Sequence, residues 1–171
     1  MSNQVFEAVR TVLAVREYQD REIPDDVLDR IVEAGHLSAS SMNQQPWHFV
    51  VVRDRQALRE IGGLVKTGPY IAGAAAAIVV AYLRESRFGI SDASRAVQAM
   101  FLTAWADGVG SNWTGFTGLD DVRQRVGLPD THDVLAVLPF GYPARPVGKG
   151  RKKRKPLAEV ASAERYGTPY R

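Results

Sequence analysis

The architecture turns on Ala74-Ala75-Ala76-Ala77-Ile78-Val79-Val80-Ala81-Tyr82-Leu83. It closes the most apolar stretch of the chain, Gly68 to Leu83, sixteen residues without a charge. A membrane-spanning helix needs about 20 apolar residues, more than this stretch contains. Its β-branched centre, Ile78-Val79-Val80, favours a buried strand. Three more apolar runs read as strands: Trp47 to Val52, Ser111 to Phe116 and Val134 to Phe140. Helical spacing of apolar residues marks Val5 to Val15, a segment opened by Pro24-Asp25-Asp26, Arg55 to Val65, Ser91 to Ala106 and Leu119 to Val126. Pro24 suits a first helical turn, and the two aspartates favour the positive end of the helix dipole. Strands and helices interleave with short connections, which predicts a single α/β or α+β layer sandwich.

The chain has 171 residues, 45% hydrophobic and 24% charged, with no cysteine. That length suits one domain, 1–171. Without cysteine there is no disulfide scaffold, thiol nucleophile or Cys-ligated metal. Met1-Ser2-Asn3-Gln4 opens no basic-then-apolar leader, so a soluble cytoplasmic protein is expected. The formal charge of +3 hides a segregation. Without Arg145, Lys149, Arg151, Lys152, Lys153, Arg154 and Lys155, the 22 basic residues fall to 15 against 19 acidic ones. From residue 143 onward, Pro143, Pro146 and Pro156 mark an extended arm rather than a helix. No aromatic side chains interleave with its cations, as single-strand nucleic-acid binding would require, so neither a nucleic-acid nor a membrane partner is expected.

Hydrolase and metal chemistry lack their parts. There is no Walker loop and no G-x-S-x-G elbow. His36, His48 and His132 show no metal spacing, and Gly108-Val109-Gly110 follows a helix, where a dinucleotide-binding turn would follow a strand. Two loops stand out instead. Ser38 to Trp47 is dense in hydroxyls and amides that suit a polar planar ligand, or else is an ordinary helix-to-strand connection. Ser111-Asn112-Trp113-Thr114-Gly115 offers backbone amides where Gly115 permits close approach, or is a plain turn.

These segments resemble a known family. Val15-Arg16-Glu17-Tyr18 and Ser40-Ser41-Met42-Asn43-Gln44-Gln45-Pro46-Trp47 resemble the opening signatures of the FMN-dependent nitroreductases. In order after them, Arg95 to Met100, Gly108 to Trp113, Gly141-Tyr142-Pro143 and Arg154-Lys155-Pro156-Leu157 resemble that family's central helix, flavin-side turn, last core strand and returning arm. The chain is similar to a compact member, without the longer insertions of many relatives. The resemblance implies a three-layer α+β fold with a mixed, mainly antiparallel sheet. It also implies a homodimer with FMN at the subunit interface, the arm from 143 wrapping the partner.

By the same resemblance Arg16 binds the ribityl-phosphate region, and Ser40, Ser41 and Asn43 contact the phosphate tail and ring, with Met42 packing nearby. Trp113, Thr114 and Gly115 line the flavin, and Lys152 and Arg154 close on the phosphate. The implied activity passes reducing equivalents from NADH or NADPH to a nitroaromatic, quinone or similar planar acceptor by a ping-pong mechanism. The flavin carries the chemistry, so no catalytic side chain and no metal is expected. One departure stands out. Members carry Arg and Ser four and two positions before the Arg16 equivalent, where this chain has Val12 and Ala14. That leaves a second reading, a flavin-binding or interaction protein without efficient turnover, with the cations from Arg151 to Lys155 making good the missing one.

Overall fold

A computed structural model describes residues 3–116, 118–148 and 152–170. Lys149 and Arg151 of the cation cluster lie outside the described residues. Five helices, α1 (Gln4–Thr11), α2 (Asp25–His36), α3 (Arg55–Leu64), α4 (Gly89–Ala106) and α5 (Asp120–Arg125), alternate with four strands. The strands are β1 (Trp47–Val52), β2 (Ala76–Leu83), β3 (Gly110–Ser111) and β4 (His132–Gly141), in the antiparallel order β1-β2-β4-β3.

The apolar Ala76–Leu83 run, β2, is one of the two inner strands of this sheet. In β2, Ala76, Ile78 and Val80 face one way and Ala77, Val79 and Ala81 the other, and all are fully buried. The first set meets Leu28 and Ile31 of α2 and Ala93, Val97 and Met100 of α4. The second set meets Leu58 and Ile61 of α3 and Val122 of α5. A strand with helices on both faces has no solvent side, so its apolar run is continuous rather than alternating. Three layers, α2/α4, sheet and α3/α5, result. Gly35 lets α2 press onto α4, because a Cβ there would meet the Met100 side chain at 2.1 Å.

Two elements are shorter than their apolar runs predict. α1 stops at Thr11 instead of continuing to Val15, because the chain turns extended at Val12 (φ −54°, ψ 130°). The Val15 N–H then donates to the Ser111 carbonyl at 2.9 Å, and Ala14 forms a parallel bridge with Ser111. β3 is only Gly110–Ser111, although Thr114 bridges Val137 beyond it. Gly115 ends the extension with a left-handed φ of +77°, which favours glycine. Among the described residues, no helix is long and apolar enough to cross a membrane.

Candidate functional site

The extended segment after α1, the β3 turn and the middle of α4 enclose a cavity of about 540 Å³. Its walls are Val9, Val12, Leu13 and Ala14 on one side, Gln98 and Phe101 of α4 below, and Ser111, Asn112 and Trp113 on the other. Lys152 and Arg154 of the arm close it. That volume lies within the range of small-molecule sites, and an apolar lining with a few convergent polar groups is their usual character. Two cations beside aromatic and aliphatic walls suit a ligand with a flat apolar body and an anionic tail.

Lys152 is anchored by a 2.6 Å hydrogen bond from its Nζ to the Val9 carbonyl, near the carbonyl-rich end of α1. Burial, reinforced by the neighbouring charge of Arg154, holds the Lys152 ammonium below the ordinary lysine pKa. Arg154 is exposed and donates through Nη1 to the Lys153 carbonyl at 3.0 Å. Its guanidinium therefore keeps most of its donors for a ligand.

The β3 turn is built from three buried polar residues, Ser111, Asn112 and Thr114. The Asn112 amide donates to the Tyr70 hydroxyl (2.6 Å), the Trp113 carbonyl (3.0 Å) and the Thr114 hydroxyl (3.1 Å). Tyr70 and Thr114 share a further 2.7 Å bond. Because the Trp113 carbonyl cannot donate, the amide orientation of Asn112 is determined. The Trp113 indole turns back to donate to the Gly115 carbonyl at 3.2 Å and stacks on Phe116.

Of the residues singled out in the sequence, Trp113, Lys152 and Arg154 come together in this cavity. Thr114 sits behind its wall, hydrogen-bonded to Tyr70. Arg16 is exposed, with its guanidinium 5.9 Å from the Tyr70 ring centre. It lines a smaller neighbouring cleft of about 290 Å³ with Glu17 and Arg145, and Ala14 borders both spaces. Gly115 lines a separate space of about 340 Å³ with Val65 and Lys66. Ser40, Ser41, Met42 and Asn43 do not line this cavity.

The loop holding those four is unusual. Met42, Asn43 and Gln45 all take positive φ, at 52°, 54° and 48°. Such non-glycine conformations persist only where the surroundings hold them. Internal bonds brace the loop: Gln45 N to Ser40 Oγ at 2.9 Å and Asn43 N to the Ser40 carbonyl at 3.1 Å. Its tie to the body is Asp92 of α4, whose Oδ2 accepts from the Ser41 N–H at 2.9 Å. The sequence reading passed over Asp92. Its signal was a carboxylate on the otherwise apolar stripe of Ala93, Ala96, Val97, Met100 and Ala104. No group of three or more His, Asp or Glu that could hold a metal occurs among the described residues.

Comparison with known proteins places the fold in a family. The Nitroreductase family model matches residues 10–83 and 64–142. A Methanothermobacter thermautotrophicus protein with the provisional name NADH dehydrogenase/NAD(P)H nitroreductase is 35% identical over 152 residues, 84% of this chain and 80% of its own length. A crystal structure of a Parabacteroides distasonis protein of the same provisional name superposes with a TM-score of 0.88 at 29% identity, covering 96% of this chain and 100% of that one. A provisionally named nitroreductase from Desulfovibrio desulfuricans, solved in complex with FMN, superposes with a TM-score of 0.85 at 29% identity, covering 97% and 99%. With its three layers and cavity in place and a family match from residue 10 to 142, the chain belongs to the nitroreductase family.

Proposed function

We propose that the chain is a cytoplasmic, homodimeric, FMN-dependent NAD(P)H oxidoreductase that reduces a nitroaromatic, quinone or similar planar acceptor. The observation that carries this reading is the cavity that sets Lys152 and Arg154 beside the apolar walls of Val9, Leu13 and Phe101. The Arg154 fork and the Lys152 ammonium hold the phosphate, and Arg16 approaches from the adjoining cleft. The aliphatic walls and Trp113 would exclude water from the ring, with Ser111 and Asn112 on the same wall. Bound FMN supplies a ring that accepts hydride from NAD(P)H and hands the reducing equivalents to the acceptor. In this reading no side chain has to transfer a proton. Both substrates occupy the same pocket in turn, which gives ping-pong kinetics.

Two observations support the dimer. Ser40 to Asn43 stand outside their own protomer's cavity, so a partner copy brings them to it. The apolar face of α1 is uncovered: Val5, Phe6 and Val9 are 69%, 60% and 43% exposed, and α1 buries no residue. In this reading residues 1–171 form one domain whose arm from residue 143 wraps the partner. The test is a visible spectrum of the purified protein, followed by anaerobic titration with NADH and with NADPH. A yellow protein that releases FMN on denaturation, is bleached by a nicotinamide and gives parallel double-reciprocal plots is expected. A colourless protein that takes up no added FMN overturns the proposal.

A second reading, flavin binding without efficient turnover, draws on Val12 and Ala14. They line the cavity with side chains that cannot donate to a phosphate. FMN that stays oxidised with both nicotinamides would decide for it.

A further inference from the structure

Asp92 is the one charged residue in the described core, and its side chain is fully buried in the first turns of α4. Burying a carboxylate is costly unless hydrogen bonds and charge surround it. Here the compensation comes from the Ser40–Gln45 loop and from Arg95, one turn further along α4. The Ser41 N–H donates to Oδ2 at 2.9 Å, the Ser41 hydroxyl to Oδ1 at 3.4 Å, and Arg95 Nη1 lies 3.4 Å from Oδ1. Two of these three partners belong to one residue of the Ser40–Gln45 loop. Ser41 is therefore gripped by both its backbone and its side chain, immediately before the left-handed Met42 and Asn43. Three positive-φ residues, Met42, Asn43 and Gln45, strain the loop, and such conformations persist only where the surroundings hold them. Met42, beyond the clasp, is 76% exposed, so the loop is held for display rather than for packing.

We propose that Asp92 is a positioning residue: its buried carboxylate clasps Ser41 and holds the Ser40–Gln45 loop, strained and outward-facing, in the conformation that completes the flavin site. This rests on the proposed function for the ligand, but not for the clasp itself. Asp92 does not touch the ligand. It acts through the loop, and Arg95 keeps its charge balanced while it does so.

The test combines amide hydrogen exchange on the flavin-free protein with FMN binding, for wild type, Asp92→Ala and Asp92→Asn. Losing hydrogen bonds to a charged group predicts a rise of about tenfold or more in exchange at Asn43, Gln44 and Gln45 in Asp92→Ala. Amides of β2 stay protected, and FMN affinity falls by a similar factor. Asp92→Asn keeps an acceptor for the Ser41 N–H, so it restores both to within about threefold of wild type. Should Asp92→Ala fail to fold, Ser41→Ala deletes one donor and predicts a rise of about two- to fivefold in loop exchange. Loop exchange unchanged in the variants overturns the clasp. Faster loop exchange with unchanged FMN affinity overturns its role at the site. A wild-type protein that binds no FMN refutes the proposed function instead, and the exchange result still judges the clasp.

Discussion

The arm side of the cavity and the Ser40–Gln45 loop are built on opposite principles. The arm brings charge with little structure: Lys152 holds one carbonyl of α1, and Arg154 is exposed with its fork almost unused. The loop brings structure with no charge of its own. Three left-handed residues are braced internally and clasped by a carboxylate from which water is excluded. One region is made to attract an anion and the other to hold a shape. Affinity drawn from charge falls with salt and rises with arm order, whereas affinity drawn from shape depends on a rigid element.

The largest expected effect tests whether the two regions meet across copies. Phe6→Asp puts a carboxylate into the uncovered face of α1, and an unpaired charge in a buried interface costs several kcal/mol. Dimer dissociation should rise by about a thousandfold, read by light scattering, and FMN retention should fall with it. A variant that stays dimeric removes α1 from the interface.

Next comes the arm. Arg154→Ala should weaken FMN by about ten- to a hundredfold while leaving riboflavin, which has no phosphate, unchanged by fluorescence titration. Mixing Arg154→Ala with Asp92→Ala subunits yields hybrid dimers in which one site combines two intact halves. Those hybrids should bind one FMN at wild-type affinity. Hybrids no better than their parents would place the loop at its own protomer's cavity.

The smallest effect is one of pH. The Lys152 cation is disfavoured by burial and by Arg154, so it loses its proton below the ordinary lysine range. FMN affinity should therefore fall by about a few-fold as pH rises through that lowered value, and riboflavin affinity should stay flat. Lys152→Arg should flatten the FMN curve, because a guanidinium stays charged. A fall that persists in that variant assigns the titration elsewhere.

The layer order was legible because β2 is apolar on both faces, and few arrangements bury such a run. The end of α1 was not, because Val12 and Leu13 continue a helical pattern that the pairing of Ala14 with Ser111 overrides. At the site, Lys152, Arg154 and Trp113 could be named from sequence and do meet in one cavity. The Tyr70–Asn112–Thr114 cluster joins residues 42 positions apart in the chain, and no local spacing announces it. The left-handed backbone at Met42 and Asn43 was equally hidden, since neither is glycine and the cause lies in a helix 51 residues further on.

α1 has eight residues and buries none of them, yet Val9 walls the cavity and its carbonyl holds Lys152. A helix of that length is marginal in water unless something covers it. With a second copy as the cover, the cavity wall exists only where that copy is bound. Protein concentration then acts as a hidden variable of cofactor affinity: dilution alone, with no change in sequence or solvent, would bleach the protein.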